Sequence, residues 1–315
     1  MMSNFTYNST LSSQADTTQG IARSLRARRR RQIVVAYAFL APSLIVFVIF
    51  RHIPAVASLV LGFFNWSMLA PPQFVGISNY SSLLLDPVFW RSLGNTIAYT
   101  VMVVPTDIVI SLCLALLLNL KLPGLRFFRL AYFTPVVTAT AIVAVVWRWF
   151  YQPDGVVNGV LHLFGVPPVA WLSDPRFALP AIAIMAIWQH VGFNMLIFLA
   201  GLQSIPSEME DAARIDGAGH WTTFRYVVLP LLRPVIVLAV ILTTIGSFQV
   251  FDAAYVMTNG GPVYATTTLV FYAYQQAFEQ YSMGYAAAIA FVLFLIILAI
   301  SLLQRRVLRG DEDVY

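Results

Sequence analysis

A chain of 315 residues that is 59% hydrophobic and only 10% charged is not a water-soluble globule, whose charged fraction is about one quarter. Its net charge of +5 lies in short stretches between apolar runs, a pattern of membrane topology rather than of nucleic-acid binding. The single cysteine, Cys113, excludes a cysteine-built metal cluster and a disulfide framework.

Residues 1–32 are polar and end in the basic stretch RSLRARRRR; they read as a disordered tail. Six apolar runs follow, at about 33–62, 96–119, 130–150, 178–201, 234–257 and 284–304. Each is near the roughly 20 residues a helix needs to cross a bilayer. The expected fold class is therefore an all-α membrane protein of six transmembrane helices. Arg51 and His52 interrupt the first run, and the 18 residues from Ile33 to Phe50 exceed the roughly 7–15 of a cleaved signal's apolar core. If both ends face the cytoplasm, fifteen of the nineteen Lys and Arg residues fall inside, leaving Arg51, Arg91, Arg148 and Arg176 outside. That asymmetry sets the expected orientation. Trp66, Trp90, Trp147, Trp149 and Trp171 then cluster at the outer boundary, where amphipathic rings settle. The outer stretches 66–95 and 151–177 mix aromatics with turn formers, which predicts short amphipathic helices.

Polar groups inside a bilayer are costly and mark function by default. The fourth run holds Gln189, His190, Phe193 and Asn194; the fifth holds Ser247, Phe248, Gln249 and Asp252. Amides, a hydroxyl and aromatic faces suit a sugar, so these eight are the candidate substrate path. Blander readings stand beside it. His190 serves equally as an interhelical hydrogen-bond partner, Asp252 as a cap or an ion-pair partner, and Phe248 as a lipid-facing ring. Asp107, close to Pro105, is expected to satisfy backbone groups freed by the proline.

The inner loop 205–234, IPSEMEDAARIDGAGHWTTFRYVVLPLLRP, reads as helix–turn–helix. Ser207 with Glu210 is a capping-box pattern, and Glu208, Glu210 and Asp211 put negative charge in the first turn, where the dipole favours it. Gly217 and Gly219 are expected to end this helix through left-handed backbone, and a second stretch from Trp221 to stop near Pro230. A helix of about nine residues is unstable alone. Its face of Met209, Ala212, Ala213 and Ile215 either docks in a partner's groove or rests on the membrane surface.

Enzyme signatures are absent: the four histidines form no H-E-x-x-H, and no G-x-S-x-G occurs. Lys121, the one lysine, has no phosphate-loop glycines around it, so the chain does not itself bind ATP through such a loop.

DAARIDGA followed by LPLLRP resembles the Glu-Ala-Ala signature of binding-protein-dependent ABC permeases, with Asp211 where the family usually has Glu. FVGISNY, LGNT, AGLQSIP, TNGGP and GYAAAIA are similar to the maltose/glycerol-3-phosphate type of permease across about residues 33–305. The resemblance implies a type I ABC importer permease fold occupying 33–305, with cytoplasmic tails at 1–32 and 306–315. It implies a coupling helix, carried by Glu208, Asp211, Ala212, Ala213, Asp216 and Gly217, seated on a separate ATPase dimer that holds the ATP and magnesium. It further implies a second permease subunit, a periplasmic or lipid-anchored solute-binding protein, and residence in the bacterial inner membrane with both termini cytoplasmic. The implied cargo is a sugar, with glycerol-3-phosphate or another polyol phosphate as the alternative. An ion-driven carrier, from a different class, would want buried carboxylates and broken helices at mid-membrane.

Overall fold

The computed structural model describes residues 29–120 and 124–309. Most of the expected N-terminal tail (1–28), Lys121 and residues 310–315 lie outside the described residues. Residues 29–32 and 306–309, at the inner edges of the two expected tails, are helical. The described residues fall into two units, divided between Ser58 and Leu59.

Helix α1, Arg29–Leu61, runs for 33 residues without a buried side chain in its apolar window. Arg51 and His52 do not interrupt it. They sit in a π-helical turn, Val48–His52, closed by the Ile53 N–H on the Val48 carbonyl. The wide turn precedes Pro54, whose ring would otherwise press on the preceding turn.

In the second unit a two-residue ribbon pairs β1 (Phe64–Asn65) with β2 (Gln73–Phe74), and α2 (Ser78–Leu85) follows. Long helix α3 (Pro87–Leu118) starts nine residues before the expected span and absorbs part of the expected outer loop. The reason is local. Asp86 caps it, accepting from the Val88 amide at 2.8 Å, and Pro87 opens the first turn. Asp174–Pro175 repeats the device at the head of α7 (Pro175–Gln203), with the Asp174 side chain on the Arg176 amide at 2.9 Å. Between them lie α4 (Leu125–Phe133), extended by a 3-10 turn over Thr134–Val137, then α5 (Thr140–Phe150) and α6 (Val156–Leu163). The expected third span is not one rod: Leu125–Val137 and Thr140–Phe150 meet at 100°. After α7 come α8 (Ser207–Ile215), α9 (His220–Phe248), α10 (Asp252–Thr258), α11 (Leu269–Tyr274) and α12 (Met283–Arg309). Among the described residues five helices are long and apolar enough to cross a membrane, or six when the bent pair counts as one span.

The fifth span also departs from expectation. Pro230 does not stop a helix, because α9 runs continuously from His220 through Pro230 and Pro234. A π turn at Phe224–Val228, closed by Leu229 N–H on the Phe224 carbonyl, again precedes the proline by two residues. At its other end α9 breaks at residues 249–251, so residues 252–257 belong to a separate helix.

Helix α7 is the axis of the core. Its Ala178, Ala181, Ala183 and Ala186 are all buried, and small side chains let backbones approach closely where lipid supplies no hydrophobic drive. One apolar cluster joins Tyr99, Val143, Met185, Ala254 and Met257, and a second joins Ala115, Phe198, Leu202 and Leu232. A third joins Leu83, Phe89, Phe248, Leu269 and Ile289.

Asp86 ties that third cluster together, since the hydroxyls of Tyr272 and Tyr285 both donate to its Oδ2, the latter at 2.6 Å. Burial pushes the Asp86 carboxyl up, but the hydrogen bonds from Tyr272, Tyr285 and the Val88 and Phe89 amides outweigh it and hold the group below the usual carboxylate range. A depressed folded value contributes stability that is full above the unfolded pKa of about 3.9 and fades as pH falls through the lower folded value. Asp86→Ala is expected to cost about 1–2 kcal/mol at pH 7, the scale of a lost cap. The gap in thermal midpoint between variant and wild type should narrow below about pH 4.

Candidate functional site

A cavity of about 300 Å³ lies among α3, α5, α7, α9 and α10. Six of the eight expected path residues line it: His190, Phe193, Asn194, Ser247, Gln249 and Asp252. Tyr99, Thr140 and Thr243 line it as well, and sequence reasoning misses them because a lone hydroxyl in an apolar run carries no pattern.

The remaining two are elsewhere. Gln189 is buried and its Nε2 donates to the Thr138 carbonyl at 3.0 Å. Thr138 sits at the 100° bend, where helical pairing is lost, so Gln189 satisfies a stranded carbonyl. Phe248 packs with Leu269, Ile289 and Leu293 rather than facing lipid or the cavity. Gln189→Leu should therefore leave the Thr138 carbonyl unpaired and cost about 1–3 kcal/mol of stability, read as a lower thermal midpoint with little change in apparent affinity for solute.

The break between α9 and α10 is closed in a similar way. Thr268 Oγ1 donates to the Val250 carbonyl at 2.8 Å and also caps α11. The cavity is thus flanked by two broken helices whose loose carbonyls are held by side chains from other elements.

Asp107 is fully buried and does not serve the backbone near Pro105 as expected. Asn194 Nδ2 donates to its Oδ2 and to Thr243 Oγ1 at 2.8 Å, while Ser111 Oγ donates toward Oδ1 at 3.2 Å. This network ties α3, α7 and α9 together behind the cavity. His190 makes no interhelical hydrogen bond among the described residues: its Nδ1–H donates to the Ala186 carbonyl at 2.9 Å within α7. Asp252 opens α10 and enters no ion pair among the described residues.

The loop helix α8 spans Ser207–Ile215, but its cap is Pro206 and no capping box forms, since no side chain bonds the first amides. Its C-terminus closes as a Schellman motif: Ala218 N–H on the Ala213 carbonyl at 2.9 Å and Gly217 N–H on the Arg214 carbonyl at 3.0 Å. Gly217 has φ +81°, as expected. Gly219 has φ −74° and caps α9 instead of ending α8. Met209 and Ile215 are exposed, Ile215 at 86%. Arg214 reaches Asp211 at 3.6 Å and Glu210 at 3.9 Å, exposed pairs of small energetic weight.

Comparison with known proteins places these features. The family described as "Binding-protein-dependent transport system inner membrane component" matches residues 88–310. The chain is 36% identical to the sulfoquinovosyl glycerol transport system permease protein SmoG of Agrobacterium fabrum, over 89% of this chain and 92% of that one. It is 36% identical to the lactose transport system permease protein LacF of Rhizobium radiobacter, over 88% and 94% respectively. In structure it is similar to a chain of a bacterial ABC transporter involved in the import of the acidic polysaccharide alginate, with a TM-score of 0.78 at 23% identity, covering 90% of this chain and 97% of that one. A cavity flanked by broken membrane helices, a short exposed helix on a two-glycine reversal and this match over most of the sequence agree: the chain belongs to the binding-protein-dependent ABC transporter permeases, the membrane components of importers.

Proposed function

We propose that this chain is one half of the translocation path of a sugar importer, and that α8 couples it to a separate ATPase. The observation that carries the sugar reading is the cavity, where His190, Asn194, Ser247, Gln249 and Asp252 sit with Tyr99 and Phe193. Hydroxyl-matching groups beside aromatic faces suit a neutral saccharide, and relatives named for lactose and arabinooligosaccharides support it. A phosphate would want lysine or arginine in the wall. The cavity has neither, and Asp252 would repel it, which counts against the glycerol-3-phosphate alternative.

The arginine asymmetry supports α8 and both termini on the cytoplasmic side. There the exposed Met209 and Ile215 face would seat on an ATPase dimer that carries ATP and magnesium, with Asp211 as the charged contact and Gly217 shaping the reversal. His190, Phe193, Gln249 and Asp252 are exposed in the single chain, which supports closure of the path by a second permease subunit. A soluble solute-binding protein would deliver cargo to the outer loops. Rocking of the two halves then gives alternating access. The broken helices and buried Asp107 that an ion-driven carrier would want are present, yet Asp107 is occupied by Asn194 and Ser111 rather than open to an ion.

The test is uptake by the complete importer in proteoliposomes. Sugar should enter only with internal ATP and external binding protein. Uptake driven by an ion gradient without ATP would refute the reading.

A further inference from the structure

The buried network of Asp107, Asn194 and Thr243 has two ends. Asp107 on α3 is fully buried behind the cavity and is not part of its wall, whereas Asn194 on α7 and Thr243 on α9 are. The network therefore carries the influence of a core carboxyl to the cavity wall, one hydrogen bond at a time.

Asn194 is the link. A side-chain amide keeps its shape when flipped, with oxygen and nitrogen exchanged, so its neighbours decide which way it faces. Its Nδ2 donates to Asp107 Oδ2 and, at 2.8 Å, to Thr243 Oγ1, while its own Oδ1 is buried without a hydrogen-bond partner. Nothing holds the oxygen, so the two acceptors set the orientation. Of these, a threonine hydroxyl donates or accepts alike and would bond either end of the amide. Asp107 is the one that chooses, with Oδ2 toward Asn194 and Oδ1 met by Ser111 Oγ at 3.2 Å.

The choice is felt at Thr243. The hydroxyls of Thr96, Thr100 and Thr258 each donate to the carbonyl four residues back in their helices. Thr243 differs, because it accepts from Asn194 and donates to nothing among the described residues. Its proton is left unengaged at a position that lines the cavity, and accepting a hydrogen bond strengthens a hydroxyl as a donor. With the amide flipped, Thr243 would turn that proton onto the amide oxygen and withdraw it from the cavity.

We propose that Asp107 is a positioning residue for transport: by fixing the Asn194 amide it keeps the Thr243 hydroxyl as a hydrogen-bond donor to an oxygen of the cargo. This rests on the reading of the cavity as the cargo path. Every sugar hydroxyl offers the accepting oxygen it needs.

The test uses the complete importer in proteoliposomes, with its binding protein loaded from a mixture of glucose, galactose, arabinose, lactose and partial hydrolysates of starch and arabinan. Solute imported per ATP hydrolysed is measured by mass spectrometry and phosphate release. Asp107→Leu frees the amide and should lower that ratio about three- to tenfold, the effect of one hydrogen bond, with binding-protein-stimulated ATP hydrolysis kept. Asp107→Asn should stay near the wild-type ratio. The introduced amide keeps an oxygen toward Asn194 and turns its nitrogen to Ser111, whose own Oγ donates to the Val191 carbonyl at 2.9 Å. Thr243→Val should fall as far as Asp107→Leu and Thr243→Ser should not. The double variant Asp107→Leu with Thr243→Val should fall no further, because residues acting through one another do not add. Losses that multiply in the double variant would refute action through Thr243. An equal loss in Asp107→Asn and Asp107→Leu would make the charge itself the working part and also overturn the proposal. Should Asp107→Leu not fold, equal ratios for Thr243→Val and Thr243→Ser would refute the donor by themselves. If the importer carries another solute and no sugar, the sugar reading falls, and the same variants run with that solute decide the proposal separately.

Discussion

Gly217→Val should abolish solute uptake while the chain still inserts and assembles in the membrane. Gly217 has φ +81°, and a Cβ built there meets nothing within 4 Å, so the penalty is backbone alone. An L-residue in left-handed backbone costs about 1–2 kcal/mol, and a β-branched one is a true outlier there. Helix α8 is nine residues long and has no side-chain cap at its start, so it cannot absorb that cost by itself. The two Schellman bonds from Gly217 and Ala218 should open and α8 should lose its angle to the membrane. Asn tolerates left-handed backbone, so Gly217→Asn should keep most of the uptake. Uptake by the two variants is the measurement, with membrane yield as the control; equal activity of Val and Asn would remove the turn from the mechanism.

Gly192→Ala should do more damage to folding than any other single methyl group in the transmembrane core near the bend. A Cβ at Gly192 would stand 2.0 Å from the Tyr132 carbonyl oxygen and 2.7 Å from its carbon. These are backbone atoms of α4 and cannot rotate aside, so α7 and the bent span must separate. Overpacking of well-packed cores costs about 1–3 kcal/mol and sometimes more, and here the separation also pulls Gln189 from the Thr138 carbonyl. Gly94→Ala is the matched control. It too is helical, but nothing lies within 4 Å of its Cβ, and Ala gains about 1 kcal/mol over Gly in a helix. The expected readout is a several-fold fall in detergent-extracted folded protein for Gly192→Ala and none for Gly94→Ala.

Much of this architecture is legible in the sequence because lipid makes hydropathy and charge nearly sufficient. The apolar runs mark the spans, and Asp86–Pro87 and Asp174–Pro175 carry a readable start signal that a hydropathy window overlooks, which is why both helices begin earlier than expected. Helix breaks are harder. The bend at Thr138 and the break at Gln249–Phe251 lie inside runs whose mean hydropathy reads as one span each, and what permits them is a side chain distant in sequence: Gln189 for one, Thr268 for the other. For that reason Gln189 reads as a path residue until its partner is seen. Pro230 misleads in the opposite direction, because the π turn at Phe224–Val228 accommodates it without ending the helix. In the site, strongly polar residues are readable one by one, whereas Tyr99, Thr140 and Thr243 join the cavity only through the packing of α3, α5 and α9. The burial of Phe248 depends likewise on α11 and α12, far along the chain.

The side of the membrane on which α8 lies can be measured directly. In right-side-out vesicles, a chain carrying Cys113→Ser and a single new cysteine in place of Ala213 is treated with a membrane-impermeant maleimide. Labelling only after the vesicles are permeabilised is the predicted result, followed by cross-linking of that cysteine to the ATPase subunit in the assembled importer. Labelling of intact vesicles would put α8 on the outer surface and contradict the role proposed for it as the link to ATP hydrolysis.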